Sequence, residues 1–128
     1  MPTREITWPD VAERLRTSRS YWLATTALDG SPHVTPVWAV VVEDVLFIYS
    51  DRTTVKAHNI AHDDRVSINL PDAEDVVMVH GRLTDLVSLP SEDPDSGEVL
   101  WALVPSRALV WRLDDWDASH VRWSAPKF

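Results

Sequence analysis

The chain has 128 residues, 45% of them hydrophobic and 25% charged, with a formal net charge of -8. That length and apolar content suit one domain over residues 1–128 with a single core, and they exclude a disordered chain. The acidic balance excludes a general nucleic-acid binder, which needs a basic face. The absence of cysteine excludes disulfides, thiolate metal sites and cysteine nucleophiles.

No apolar run approaches the roughly 20 residues of a membrane helix, so no membrane partner is expected. Residues 1–10 carry Pro2, Glu5 and Pro9 and show no apolar signal region. The expected location is the cytoplasm. Ten arginines stand against two lysines, Lys56 and Lys127, a bias that points to a GC-rich genome.

The opening segment predicts a short helix, with Thr7 as cap, Pro9 in the first turn and Val11, Ala12 and Leu15 at helical spacing. The period then changes to two. Residues 21–28 predict a strand that runs into the hairpin signal Asp29-Gly30. Residues 33–42 form its partner, Glu43-Asp44 turns the chain, and 45–50 make a third strand. A second helix is expected over 53–62, capped by Thr53 or Thr54, with Val55, Ala57, Ile60 and Ala61 at helical spacing.

Val66, Ile68 and Leu70 alternate in a strand over 65–70. A long strand follows over 75–87, with Gly81 a candidate bulge or barrel corner. Residues 88–97 read as a solvated loop, and 98–113 return to strand character with an interruption at Pro105. Residues 114–118 form an acidic or helical turn, and 119–124 a last short strand. The expected fold is mainly β: a six- to seven-stranded antiparallel barrel with two short helices, closed to hide its edges.

Three segments carry chemistry. His33-Val34-Thr35-Pro36-Val37-Trp38 places a proline in an apolar strand, which costs a ladder hydrogen bond. Either this is a simple edge, or something other than a strand lies alongside, such as a flat ring system. Ser50-Asp51-Arg52-Thr53-Thr54-Val55-Lys56 joins a strand to a helix. Hydroxyls and free N–H groups at a helix start can hold an anion, and Lys56 adds a full charge. Ordinary capping beside a solvated lysine explains the same residues. At the end of the chain, Arg107 to Arg112 and Arg122-Trp123 pair indole with guanidinium, which suits an aromatic or phosphate ligand. Core tryptophans with exposed arginines are the plainer alternative.

Together these segments resemble the pyridoxamine 5'-phosphate oxidase-like superfamily, the FMN-binding split barrels that include flavin and deazaflavin oxidoreductases. The resemblance lies in Trp22 to Thr26, Asp29 to Trp38, Phe47 to Ser50 and Lys56 to Ser67, and covers about residues 11–87. The stretch from Pro105 to Trp123 is similar to actinobacterial members. The family implies a homodimer with two cofactor sites at its interface. It implies that Lys56 binds the cofactor phosphate, with Ser50, Thr53 and Thr54 donating to it and Asn59 supporting that end. It implies that Val34, Thr35, Pro36 and Val37 line the ring, and that Arg122 and Trp123 close the pocket from the second subunit. His58 departs from the family, where arginine is common, and the segment between Val87 and Glu98 lacks a helical insertion of longer relatives. No match to the residues that hold pyridoxal phosphate is found, so vitamin B6 oxidation is not expected.

The resemblance implies an oxidoreductase that moves a hydride between the cofactor and a small organic substrate. FMN is the first expectation for the cofactor and coenzyme F-420 the alternative, with Arg52, His58 and Arg65 available for the latter's longer anionic tail. A non-enzymatic flavin or haem carrier or sensor is the competing class. Tyr49 and His33 are candidates for acid–base work, and no catalytic residue is assigned. His58 and His62 stand four apart on a helix but have neither the glutamate nor the third ligand of a metal site. Three ungrouped glycines exclude a phosphate-binding glycine loop.

Overall fold

A computed structural model describes residues 4–89 and 97–126. It contains β1 (Arg4–Glu5), α1 (Trp8–Arg16), β2 (Ser20–Thr26), β3 (Pro32–Val42), β4 (Val45–Asp51), α2 (Val55–His62), β5 (Arg65–Asn69), β6 (Asp75–Leu89), β7 (Glu98–Arg112), α3 (Trp116–Ser119) and β8 (Val121–Ser124). The sheet runs β1-β8-β7-β4-β3-β2-β5-β6, and a further β6–β7 pairing closes the last six into an antiparallel barrel. β8 flanks β7 outside the ring, and β1 pairs with β8 in parallel.

Alternation builds the wall. Tyr21 and Leu23 of β2, Leu46 and Ile48 of β4, Ile68 of β5 and Val77 and Val79 of β6 are all buried at 1% exposure or less. Each such side chain contributes roughly 1.5–3 kcal/mol by leaving water. Helix α1 adds Val11, Ala12 and Leu15 to this core. Its start is fixed by a capping box, in which the Asp10 N–H donates to the Thr7 hydroxyl and the Asp10 carboxylate accepts from the Thr7 N–H. The Trp8 indole donates to the Asp44 carbonyl at 2.7 Å, tying α1 to the β3–β4 turn. That turn has two residues, Glu43 and Asp44, both left-handed at φ 49° and 63°. This is the backbone a two-residue hairpin requires.

The expected barrel and the two expected helices are present, with differences. β7 is continuous through Pro105, and the irregularity is absorbed by a bulge opposite His80 and Gly81. Gly81 sits where a Cβ would lie 2.4 Å from the Val104 carbonyl oxygen, so only glycine allows the strands this approach. Ser88 and Leu89 belong to β6 rather than to a loop. The rest of the expected solvated loop, residues 90–96, lies outside the described residues. A single 3-10 turn, Leu113–Asp115, and α3 fill the expected acidic turn. Among the described residues no helix is long and apolar enough to cross a membrane.

Candidate functional site

The β3–β4 ladder runs only from Ala39–Ile48 to Val42–Val45. Beyond Ala39 the strands part. β3 continues along β2, with Pro36 paired to Trp22, while β4 continues along β7, with Ser50 paired to Val99. Pro36 therefore stands where one side of β3 has no strand, and its missing N–H leaves no ladder bond unmade. Along this stretch Val34, Pro36 and Trp38 point outward, and Val34 and Trp38 are 59% and 84% exposed. Thr35 and Val37 take the inward positions, where Val37 is buried.

The loop after β4 begins where this gap opens. The Thr53 N–H and hydroxyl both donate to Asp51 Oδ1 at 2.8 Å, forming a turn held by the carboxylate. Thr54 is the cap of α2. Its hydroxyl donates to the Asp51 carbonyl at 2.9 Å and accepts from the Ala57 N–H at 3.2 Å. Buried Ser50 donates to the same carbonyl at 3.0 Å and lies 3.2 Å from the Thr54 hydroxyl. The three hydroxyls that the sequence offers as phosphate donors are thus engaged inside the loop.

The backbone N–H groups of Val55 and Lys56 make no hydrogen bond among the described residues. They point out of the helix start, where the dipole favours an anion. Half-buried Lys56 lies close enough to Asp51 to help hold that carboxyl below its ordinary range, after the larger effect of the Thr53 hydrogen bonds. The donor set available to a phosphate is therefore two amides and one ammonium. These groups fit a phosphoryl group, and the parted strands fit a flat ring beside it.

The other expected residues are placed elsewhere. The Asn59 side chain is buried and donates to Thr25 of β2, so it braces α2 from below rather than facing the loop's free amides. Trp123 pairs with Ala108, near the end of β7 remote from Val99, and its ring lies 5.1 Å from that of Trp8. Within one subunit it supports α1. Arg122 beside it is exposed and faces Leu109 in the ladder. Neither residue reaches the Lys56 loop of its own chain.

Two arrangements at the site come from the fold alone. Arg52 has a buried Nε with no hydrogen-bond partner among the described residues. Its side chain borders a groove of about 1090 Å³ between α2 and the β6–β7 pair, with Leu83 and Trp101 in its floor and His58 along its edge. Glu98 is the ladder partner of Asp51, and its carboxylate accepts from the Tyr49 hydroxyl, which raises the tyrosine's pKa. Only the register of β4 on β7 brings these three side chains together.

The sequence profile of the pyridoxamine 5'-phosphate oxidase family matches residues 7–118. The chain belongs to the pyridoxamine 5'-phosphate oxidase family. This family member is similar in fold to a conserved hypothetical protein of Mycobacterium tuberculosis, with 20% identity, a TM-score of 0.72, and 99% and 96% of the two chains covered. A pyridoxamine 5'-phosphate oxidase-related FMN-binding protein of Nostoc punctiforme matches with 17% identity and a TM-score of 0.65 over 91% of this chain and 84% of that one. An F-420 reductase matches with 20% identity and a TM-score of 0.61 over 75% of this chain and 94% of that one. No curated protein matches the chain.

Proposed function

We propose that this protein is a flavin-type oxidoreductase acting as a cytoplasmic homodimer, with FMN or the deazaflavin coenzyme F-420 bound between β3 and the start of α2. The observation that carries the reading is the parting of β3 from β4 beyond Ala39, where β4 runs on into the loop that opens α2 with the free amides of Val55 and Lys56. A flat ring would lie in that gap against Val34 and Pro36, with the backbone of Thr35 and Val37 at its edge. The two amides and the Lys56 ammonium would hold the phosphate. Ser50, Thr53 and Thr54 would serve by fixing the loop, and Asn59 by bracing the helix.

The bound ring would supply hydride transfer, and the chain supplies position and electrostatics. A small organic substrate would stack on the ring's open side. Trp22, Val34, Trp38, Val40 and Val42 form an exposed apolar surface on β2 and β3, each more than 40% accessible. Such a surface fits a second copy of the chain. That copy would bring its own Arg122 and Trp123 toward the pocket.

Titration of the purified protein with FMN and with coenzyme F-420, followed by cofactor fluorescence, tests the reading. It predicts saturable quenching by at least one of them and reduction of the bound ring by a chemical or enzymatic donor. Binding without any turnover favours a carrier. Binding of neither contradicts the assignment.

A further inference from the structure

The Lys56 loop is close to electrically balanced, and the balance bears on which phosphate it holds. This inference rests on the redox reading above. Asp51 is exposed, and its Oδ1 takes both Thr53 donors at 2.8 Å. Those bonds stabilise the charged carboxylate. Glu98, its partner across the β4–β7 ladder, is exposed as well. Cross-strand partners point to the same side, so two carboxylates share the outward face at the mouth of the loop. Against them stand Lys56 and Arg52. Val55, at the first helical position, presents a 56% exposed apolar side chain rather than a further hydroxyl or cation.

A phosphate monoester carries about two negative charges at neutral pH, because its second pKa is near 6, whereas a diester carries one. Two amides and one ammonium match a single charge. A second charge would find no net positive charge, because Asp51 and Glu98 offset Lys56 and Arg52. We propose that this loop selects a phosphodiester over a phosphomonoester, with Asp51 as the selecting group.

A diester carries a second substituent, and the fold offers it a place. The groove of about 1090 Å³ borders Arg52, in the same loop, and runs between α2 and β6. Among the described residues the buried Arg52 Nε has no hydrogen-bond partner. Leu83 and Trp101 give the groove an apolar floor, and His58 and Asp85 give it polar edges. Of the two cofactors above, FMN is a monoester and coenzyme F-420 a diester, so the loop favours the second.

The test compares FMN with its phosphate monomethyl ester, which has the same ring and one charge fewer. Both are titrated into the full chain at pH 7.5, followed by flavin fluorescence. The ester binds the wild type about fivefold more tightly than FMN, the range of an exposed charge pair. Asp51→Asn keeps an acceptor for the Thr53 N–H and so keeps the loop. It raises FMN affinity about fivefold and moves the ester less than twofold. Glu98→Gln, on the neighbouring strand, acts in the same direction. FMN binding as tightly as the ester, or Asp51→Asn moving both ligands equally, overturns the selection and leaves the redox reading intact. Binding of neither ligand overturns the selection, and overturns the redox reading too where coenzyme F-420 also fails to bind.

Discussion

The Asn59 side-chain amide donates to the Thr25 hydroxyl at 3.0 Å, and both residues are buried. This bond locks α2 to β2, and α2 carries the free amides and the ammonium of the candidate site. The helix has eight residues, too few to stand by propensity alone. Its position therefore depends on Ala57 and Ile60 in the core, on this contact and on the Thr54 cap bonded to Asp51.

Asn59→Ala should destabilise the fold by about 1–3 kcal/mol, because the Thr25 hydroxyl is left buried without its partner. Denaturant unfolding measures this as a lower midpoint at unchanged slope. Asn59→Asp, which keeps the shape but places a carboxylate among buried groups, should cost at least as much. A midpoint equal to wild type would show that the contact is dispensable.

Gly81→Ala tests the barrel corner. The added Cβ meets the Val104 carbonyl oxygen at 2.4 Å and Pro105 Cα at 2.9 Å, both backbone atoms that cannot rotate away. The cost should be about 1–3 kcal/mol, in the range of overpacking. Thermal unfolding provides the measurement, and an unchanged transition would contradict the close approach.

His80 sets a pH dependence. Burial, and then the Arg107 guanidinium, hold its pKa below the ordinary 6.5. Arg107 Nε donates to His80 Nδ1 at 3.0 Å, so the neutral ring carries its proton on Nε2. The unfolded chain takes up a proton near pH 6.5 that the folded chain refuses until lower pH. Stability from this group is therefore full above pH 6.5 and falls as the pH drops through that value toward the folded pKa. Arg107→Gln should raise the His80 pKa, as read by NMR titration of the imidazole. A pKa that does not move would remove Arg107 as a cause.

Much of this was legible in local pattern. Alternation in β2, β4 and β5, the Asp29-Gly30 and Glu43-Asp44 turns, and the Thr54 cap each reflect short-range physics that a sequence carries. Pro36 was legible as an anomaly, and the parted strands explain it. The unread parts depend on long-range register. Nothing local reveals that Asn59 turns to Thr25, that Glu98 lands beside Asp51, or that Trp123 packs on Trp8. The hydroxyls of Thr53 and Thr54 were legible as helix-start groups, but not that their bonds go to Asp51. Pro105 reads locally as a break, yet the bulge facing Gly81 lets β7 pass through it.

Trp38→Glu tests the second copy. The side chain is 84% exposed and lies in the centre of the apolar surface of β3. A carboxylate there should shift the chain from dimer to monomer in sedimentation velocity while circular dichroism stays unchanged. A wild-type chain that sediments as a monomer at every concentration would contradict the proposed assembly.

The most direct measurement is the quenching titration of wild type against Lys56→Ala, using whichever of FMN and coenzyme F-420 the wild type binds. Loss of the one ammonium at the start of α2 should weaken binding at least about tenfold, the loss of a charge-assisted phosphate contact, with the unfolding midpoint unchanged. Equal affinity for the two proteins would contradict the claim that this loop holds the cofactor's phosphate.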